Sequence, residues 1–290
     1  MTADPPTLSA PSPRYLVVVS AEDPVAQGVA RYWGTPPSTG DHVEGAAVRA
    51  LSPGALLLHR PGLHIHDERL DDLLPESIRS ARPTLVFPSI HRSEQNVPCL
   101  TVHPLGNPGN SAEVGGRPGA LVPADPLLMV SALRTLAERG GRLDLGATFE
   151  ATHHGPELKL PSFFVEIGYG TEPDPPEPAL RVLAETIPHL ARNEGDRVAL
   201  AVGGGHYAPH FTDLALKRRW AFGHILSRHT LATLTPEIAR IALERSVGAE
   251  GWLPARQDDA GHPALRGLGT RMRDSDAPTR GSDATSASGT

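Results

Sequence analysis

The chain has 290 residues, 39% hydrophobic and 21% charged, enough for one large domain or two small ones around a packed core. A net charge of −6 excludes a global attractive field for nucleic acid. The single cysteine, Cys99, excludes an intrachain disulfide and a thiolate metal cluster, and no apolar run reaches membrane-spanning length. With no leader-like N-terminus, the expected location is cytoplasmic.

Residues 1–13 are rich in Pro, Ser and Thr and are expected to be disordered. The run YLVVVS predicts a strand over 15–20, and Asp23-Pro24 supplies an N-cap followed by proline at the first helical position. A helix to Trp33 follows, so the chain opens as a βα unit, which favours an α/β fold. Further strands are expected over 55–59, 84–87 and 98–103. His64 and His66 flank Ile65, which in extended backbone places both on one face. His91 and His103 follow or end neighbouring strands, beside a turn-rich segment, 106–110, that carries Asn107. Asp125-Pro126 caps another helix, with an apolar stripe running to Gly140-Gly141.

Strands over 145–152 and 162–167 bracket His153-His154-Gly155-Pro156, a turn. Glu166 lies inside the apolar run FFVEI and therefore needs a partner or a shifted pKa. A helix over 178–192, kinked near Pro188, precedes the strand 198–202. That strand breaks into Gly203-Gly204-Gly205, followed by His206 and His210. Three glycines permit a sharp turn and close approach of backbone to a ligand. Helices are expected over 213–219, 221–231 and from Thr235-Pro236 to Ser246. The polar segment 256–290 is expected to be a disordered tail, which leaves one α/β domain over 14–255.

The chain lacks a nucleophile elbow, a Walker loop, a dinucleotide fingerprint and an HExxH helix. It does hold 14 histidines, several of them grouped with Asn and Glu at strand ends. Such a set suits hydrolysis, either by metal-bound water or by imidazole and carboxylate acting on water. Lys217-Arg218-Arg219 is the densest basic cluster beside the glycine-histidine stretch.

The runs SAEDPVA (20–26), IHRSEQNVPCLTVHPLGNPG (90–109), ATHHGP (151–156), PSFFVEIG (161–168), VGGGHYAPHFT (202–212) and FGHIL (222–226) resemble, in the same order, those of the D-aminoacyl-tRNA deacylases of the archaeal and plant type. The resemblance implies a three-layer α/β/α fold with a mixed sheet, phosphorylase/hydrolase-like and akin to peptidyl-tRNA hydrolase. It implies hydrolysis of the ester of D-aminoacyl-tRNA, with zinc as cofactor and tRNA as partner; a monomer is expected. His91, His103, Asn107, His153, His154, Glu166, His206 and His210 fall within its motifs. The expected catalytic residues are His154, His206 and Glu166, and the expected metal ligands are His153, His154, His206 and His210. Gly203, Gly204, Gly205, Asn107, His103 and His91 are expected to bind substrate. A metal-dependent hydrolase of small amides or esters, and a non-catalytic RNA-binding module, are the alternative readings.

Overall fold

A computed structural model describes residues 13–91, 98–170 and 174–280. The expected disorder of 1–13 and of 281–290 falls, apart from Pro13, outside the described residues. An eight-stranded mixed sheet has the order β2-β3-β4-β1-β5-β8-β6-β7. Its strands are β1 (Tyr15–Ser20), β2 (Ser38–Val43), β3 (Ala46–Ser52), β4 (Ala55–Arg60), β5 (Thr84–His91), β6 (Cys99–Pro104), β7 (Gly146–Phe149) and β8 (Ser162–Gly168). β4, β1, β5 and β8 run parallel, β6 is antiparallel to β8, and a β2–β3 hairpin extends the β4 edge.

β1 is apolar throughout because both faces of the sheet are covered. Tyr15, Val17 and Val19 pack under α1 (Pro24–Trp33) and its neighbours, while Leu16 and Val18 pack on the opposite face with Leu70, Leu74, Ile78, Phe87 and Phe164. Short helices α2 (Leu70–Leu73) and α3 (Glu76–Arg79) cover that opposite face. The capping expectations are met. Asp23 accepts from the Ala26 amide at 2.8 Å, and Asp125 accepts from the Leu128 amide at 3.1 Å at the start of α4 (Pro126–Gly141). Leu128, Met129, Leu133 and Leu136 of α4 are fully buried, each stabilising the fold by about 1.5–3 kcal/mol relative to exposure.

α5 (Glu177–Thr186) ends one residue before a 3₁₀ turn that holds Pro188. A second, three-stranded parallel sheet follows, in the order β10-β9-β11, from β9 (Arg197–Val202), β10 (Trp220–Leu226) and β11 (Trp252–Pro254). α4 packs against β6, β7 and β10 and so joins the two sheets. Between the strands lie α6 (Pro209–Lys217), α7 (Arg228–Leu231) and α8 (Pro236–Arg245).

Two expectations are corrected here, and one element was not anticipated. The run 221–231, expected as a helix, is mostly strand β10. It is a short apolar run whose state is set by its neighbours, and a Cβ on Gly223 would meet Ser246 Oγ at 2.3 Å. The unanticipated hairpin over 38–52 pairs a polar, mostly exposed β2 with a β3 of mostly intermediate burial, so neither strand shows a clean alternation of buried and exposed residues. The segment 256–280 is not a disordered tail. It holds α9 (Gln257–Ala260) and buries Leu265, Met272 and Ala277. Its backbone is tied down by Trp252 N–H to Thr270 O (2.9 Å), Met272 N–H to Trp252 O (2.8 Å) and Arg280 N–H to Lys217 O (3.0 Å). A few well-spaced apolar residues anchor a segment whose average composition is polar.

Candidate active site

The histidine motifs meet because two loops are knitted together by backbone. Ala151 N–H donates to His206 O at 2.8 Å, Ala208 N–H to Phe149 O at 3.0 Å, and Thr152 N–H to Ile225 O at 2.9 Å. Gly203 and Gly204 take φ of +98° and +83°, values that L side chains rarely adopt. They turn the chain from β9 so that His206 faces the 150–154 segment. His154 carries φ of +33°, followed by Gly155 at +105°. A histidine held left-handed is an uncommon, strained conformation of the kind found at functional sites. Beneath the motif His224 is fully buried, with Nε2 2.9 Å from Val122 O and Nδ1 3.1 Å from Thr152 Oγ1.

At the centre stand two buried carboxylates. Glu150 Oε1 lies 3.1 Å from His91 Nδ1, and Glu150 Oε2 lies 3.3 Å from His206 Nε2 and 3.5 Å from His153 Nε2. Glu166 Oε2 lies 3.4 Å from His91 Nδ1 and 3.6 Å from His103 Nε2. Tyr207 Oη is 2.9 Å from His91 Nε2. The register explains the Glu166 half: Glu166 is level with Ser89 on β5 and Thr101 on β6, two residues from His91 and His103 on the same face.

Burial opposes a charge on His91, but the nearby Glu166 carboxylate and the Glu150 charge outweigh it and raise its pKa. The same contest, with Glu166 as the main partner, raises His103. Glu166 itself is opposed by burial, yet His103 and then His91 hold it well below the usual carboxylate range. His153 and His154 go the other way. Burial first, then the neighbouring imidazoles, lower His153 well below the ordinary value and His154 to about 3. Burial pushes the Cys99 thiol up to about 11, consistent with an inert core residue.

This arrangement tests whether a metal fits. His153 Nδ1–H donates to Ala151 O at 2.8 Å, so its Nε2 is a lone pair facing Glu150 Oε2. Two acceptors in contact are stabilised by a cation between them. Both Glu150 oxygens, Glu166 Oε2, His103 Nε2 and His154 Nδ1 are buried without a hydrogen-bond partner, at a cost that a ligand would relieve. Glu150, His153 and His206 present donor atoms within 4.8 Å of one another. A His₂Glu set without thiolate suits a catalytic zinc.

Two cavities share His153 and His206 as a common wall. The larger, about 830 Å³, is lined by Thr152, Gly204, Gly205, Arg228, His229 and Arg256 among others. The smaller, about 420 Å³, is lined by Leu63, His64, Ile65, Ile90, His91, Val114, His154 and Glu166 among others.

Of the residues singled out from sequence, His91, His103, His153, His154, Glu166 and His206 converge, and Gly204 and Gly205 line the larger cavity. Gly203 serves close packing instead, since a Cβ there would lie 2.2 Å from Asp259 Oδ2. Two of them do not join the cluster. His210 is not a ligand of this cluster: α6 begins at Pro209 and carries it to Asp274, 3.5 Å from Nε2. Asn107 is committed to its own loop, donating from Nδ2 to Gly115 O at 2.9 Å. The 3₁₀ turn at His64–His66 separates those two histidines, so only His64 is buried and reaches the smaller cavity. Glu150 is the residue that sequence reasoning missed; its one signal was its place directly before ATHHGP. Tyr207, inside GGGHYAP, was likewise given no role.

A protein family described as D-aminoacyl-tRNA deacylase matches residues 79–257. The D-aminoacyl-tRNA deacylase of Thermococcus kodakarensis is 40% identical over 202 residues, covering 68% of this chain and 70% of that one. That of Methanosphaerula palustris is 39% identical over 227 residues, and this chain spans about half (48%) of its length. A crystal structure described as a conserved protein of unknown function superposes with a TM-score of 0.76 at 28% identity, covering 88% of this chain and 90% of the other.

Proposed function

We infer from membership of the D-aminoacyl-tRNA deacylase family, to which this chain belongs, that the site hydrolyses the ester joining a D-amino acid to the terminal ribose of tRNA. The observation that carries the reading is the buried Glu150 carboxylate, whose oxygens make no hydrogen bond, facing His153 and His206 at the wall between two cavities. An ester placed across that wall has its acyl part in one cavity and its ribose in the other.

The smaller cavity, with Leu63, Ile65, Ile90 and Val114 as apolar lining, takes the amino-acid side chain. Glu166, kept ionised by His91 and His103, receives the α-ammonium group. The larger cavity takes the terminal adenosine against Gly204 and Gly205, where absent side chains allow close approach. Glu150 and His206 hold and polarise the attacking water, and His154 remains neutral beside it. Water oxygen joins the carbonyl carbon as the ribose oxygen departs. The water's proton passes to Glu150 and on through His206, 3.3 Å away and lining both cavities, to the departing ribose oxygen. We assign zinc to Glu150, His153 and His206. Bound there, it would supply a Lewis acid that lowers the pKa of water toward neutrality.

Further readings are proposals of the same kind. The mixed sheet with helices on its faces supports kinship with phosphorylase/hydrolase-like folds and peptidyl-tRNA hydrolase. One deacylase domain extends from residue 14 through the packed segment ending at 280. No helix among the described residues is long and apolar enough to cross a membrane, in keeping with a cytoplasmic enzyme. Release of D-tyrosine from D-tyrosyl-tRNA, compared with L-tyrosine from the L-ester, tests the function. Turnover of the D-ester should far exceed that of the L-ester, and equal turnover would refute the proofreading role.

A further inference from the structure

The segment past the end of the family match, residue 257, builds a second concave surface. A groove of about 900 Å³ is lined by Arg218, Arg256, Arg271 and Arg273, with Asp274 as its one acidic residue. Arg256, Arg271 and Arg273 are exposed. None of the three joins an ion pair among the described residues; Arg271 meets only the neutral Gln257 side chain, at 2.5 Å. Elsewhere among the described residues Arg60, Arg134, Arg192, Arg197, Arg228 and Arg240 each hold a carboxylate. A run of unpaired guanidinium groups in one groove of a chain with net charge −6 is a local field of the opposite sign.

The groove adjoins the active-site cavity at one residue. Arg256 lines both the groove and the larger cavity that ends on His153 and His206. The two are also locked together mechanically. Asp259 is buried against Gly203 at the glycine turn and holds Arg228 at 3.1 Å, while Trp220 Nε1 donates to Asp274 O at 3.0 Å and Arg218 to Ala277 O at 3.1 Å. The floor of the groove is therefore fixed with respect to the catalytic histidines.

We propose that Arg256, Arg271, Arg273 and Arg218 form a track for the phosphates of the tRNA strand that leads into the active site. Arg256 binds nearest the ester, and the C-terminal segment supplies the outer contacts. Guanidinium suits this role because its planar fork binds phosphate oxygens in pairs. The reading rests on the deacylase function proposed above and moves the tRNA surface off the cluster Lys217-Arg218-Arg219. Lys217 is paired with Asp213 at 2.7 Å, so of the three only Arg218 lines the groove.

The test uses the full chain with Arg271→Gln and Arg273→Gln combined, two residues remote from the histidine cluster. Binding of uncharged tRNA is measured across a salt series. Each lost phosphate contact removes roughly 0.7–0.9 from the slope of log K against log salt, so a loss of about 1.5 units is expected, with binding weakened about tenfold or more near physiological salt. The Lys pair at the same positions should retain most of the slope. Hydrolysis of D-tyrosyl-adenosine, which lacks the RNA body, should proceed with unaltered kcat while KM for D-tyrosyl-tRNA rises. An unchanged salt slope overturns the proposal, as does an equal loss on both substrates. If the unaltered protein hydrolyses neither ester but the slope still falls in the variant, the catalytic reading fails and the groove stands.

Discussion

Replacing His224 with Gln should flatten the acid sensitivity of the fold by one proton. His224 is fully buried between Val122 O and Thr152 Oγ1, and burial, reinforced by Arg245, lowers its pKa from 6.5 to about 4. Between those values the unfolded chain binds a proton that the folded chain refuses, so stability falls as pH falls through this window and levels off below it. The full effect is about 3 kcal/mol, of which about 2 kcal/mol is already lost at pH 5 relative to pH 8. The variant loses a buried hydrogen bond, so at pH 8 it should be less stable by about 1–3 kcal/mol. Urea unfolding at intervals from pH 8 to pH 4 measures both quantities. His64, His153 and His154 are also lowered, and they contribute equally to both proteins, so the difference curve isolates His224. Parallel curves for the two proteins would show that His224 is not held neutral by its site.

Glu150→Gln should lower single-turnover hydrolysis of D-tyrosyl-tRNA by about a hundredfold or more, with circular dichroism showing the fold retained. His206→Ala and His154→Ala should show losses of similar size; full activity in both would displace the site to His91 and His103. A strong chelator should abolish hydrolysis and zinc restore it, whereas full activity in protein shown metal-free by elemental analysis would remove zinc from the scheme. Gly203→Ala should destabilise the fold by about 1–3 kcal/mol in urea titration, because φ is +98° and the new Cβ would lie 2.2 Å from Asp259 Oδ2; an unchanged midpoint would mean that the C-terminal segment is not packed on the turn.

The sequence by itself determined what depends on near neighbours in the chain. The cap at Asp23-Pro24, the two-sided burial of YLVVVS, the stripe of α4 and the break at Gly203-Gly204 are local signals, and each element forms where it was expected. Glu166 was legible as a site residue because a carboxylate inside FFVEI contradicts its surroundings. Tertiary structure alone decided which polar residues converge. Glu150 is one of 33 acidic residues, marked in its local pattern only by its place before ATHHGP. It becomes central only because the 149–152 backbone pairs with 206–208 and with β10. His210 stands four residues from His206 in sequence, yet the start of α6 at Pro209 turns it toward Asp274. The C-terminal segment is polar on average, and composition cannot weigh the few side chains, such as Leu265, Met272 and Ala277, that find a prepared apolar surface. Local propensity is set by a residue and its neighbours, whereas convergence is set by pairings between segments some fifty or more residues apart, such as the Glu150–Tyr207 bridge.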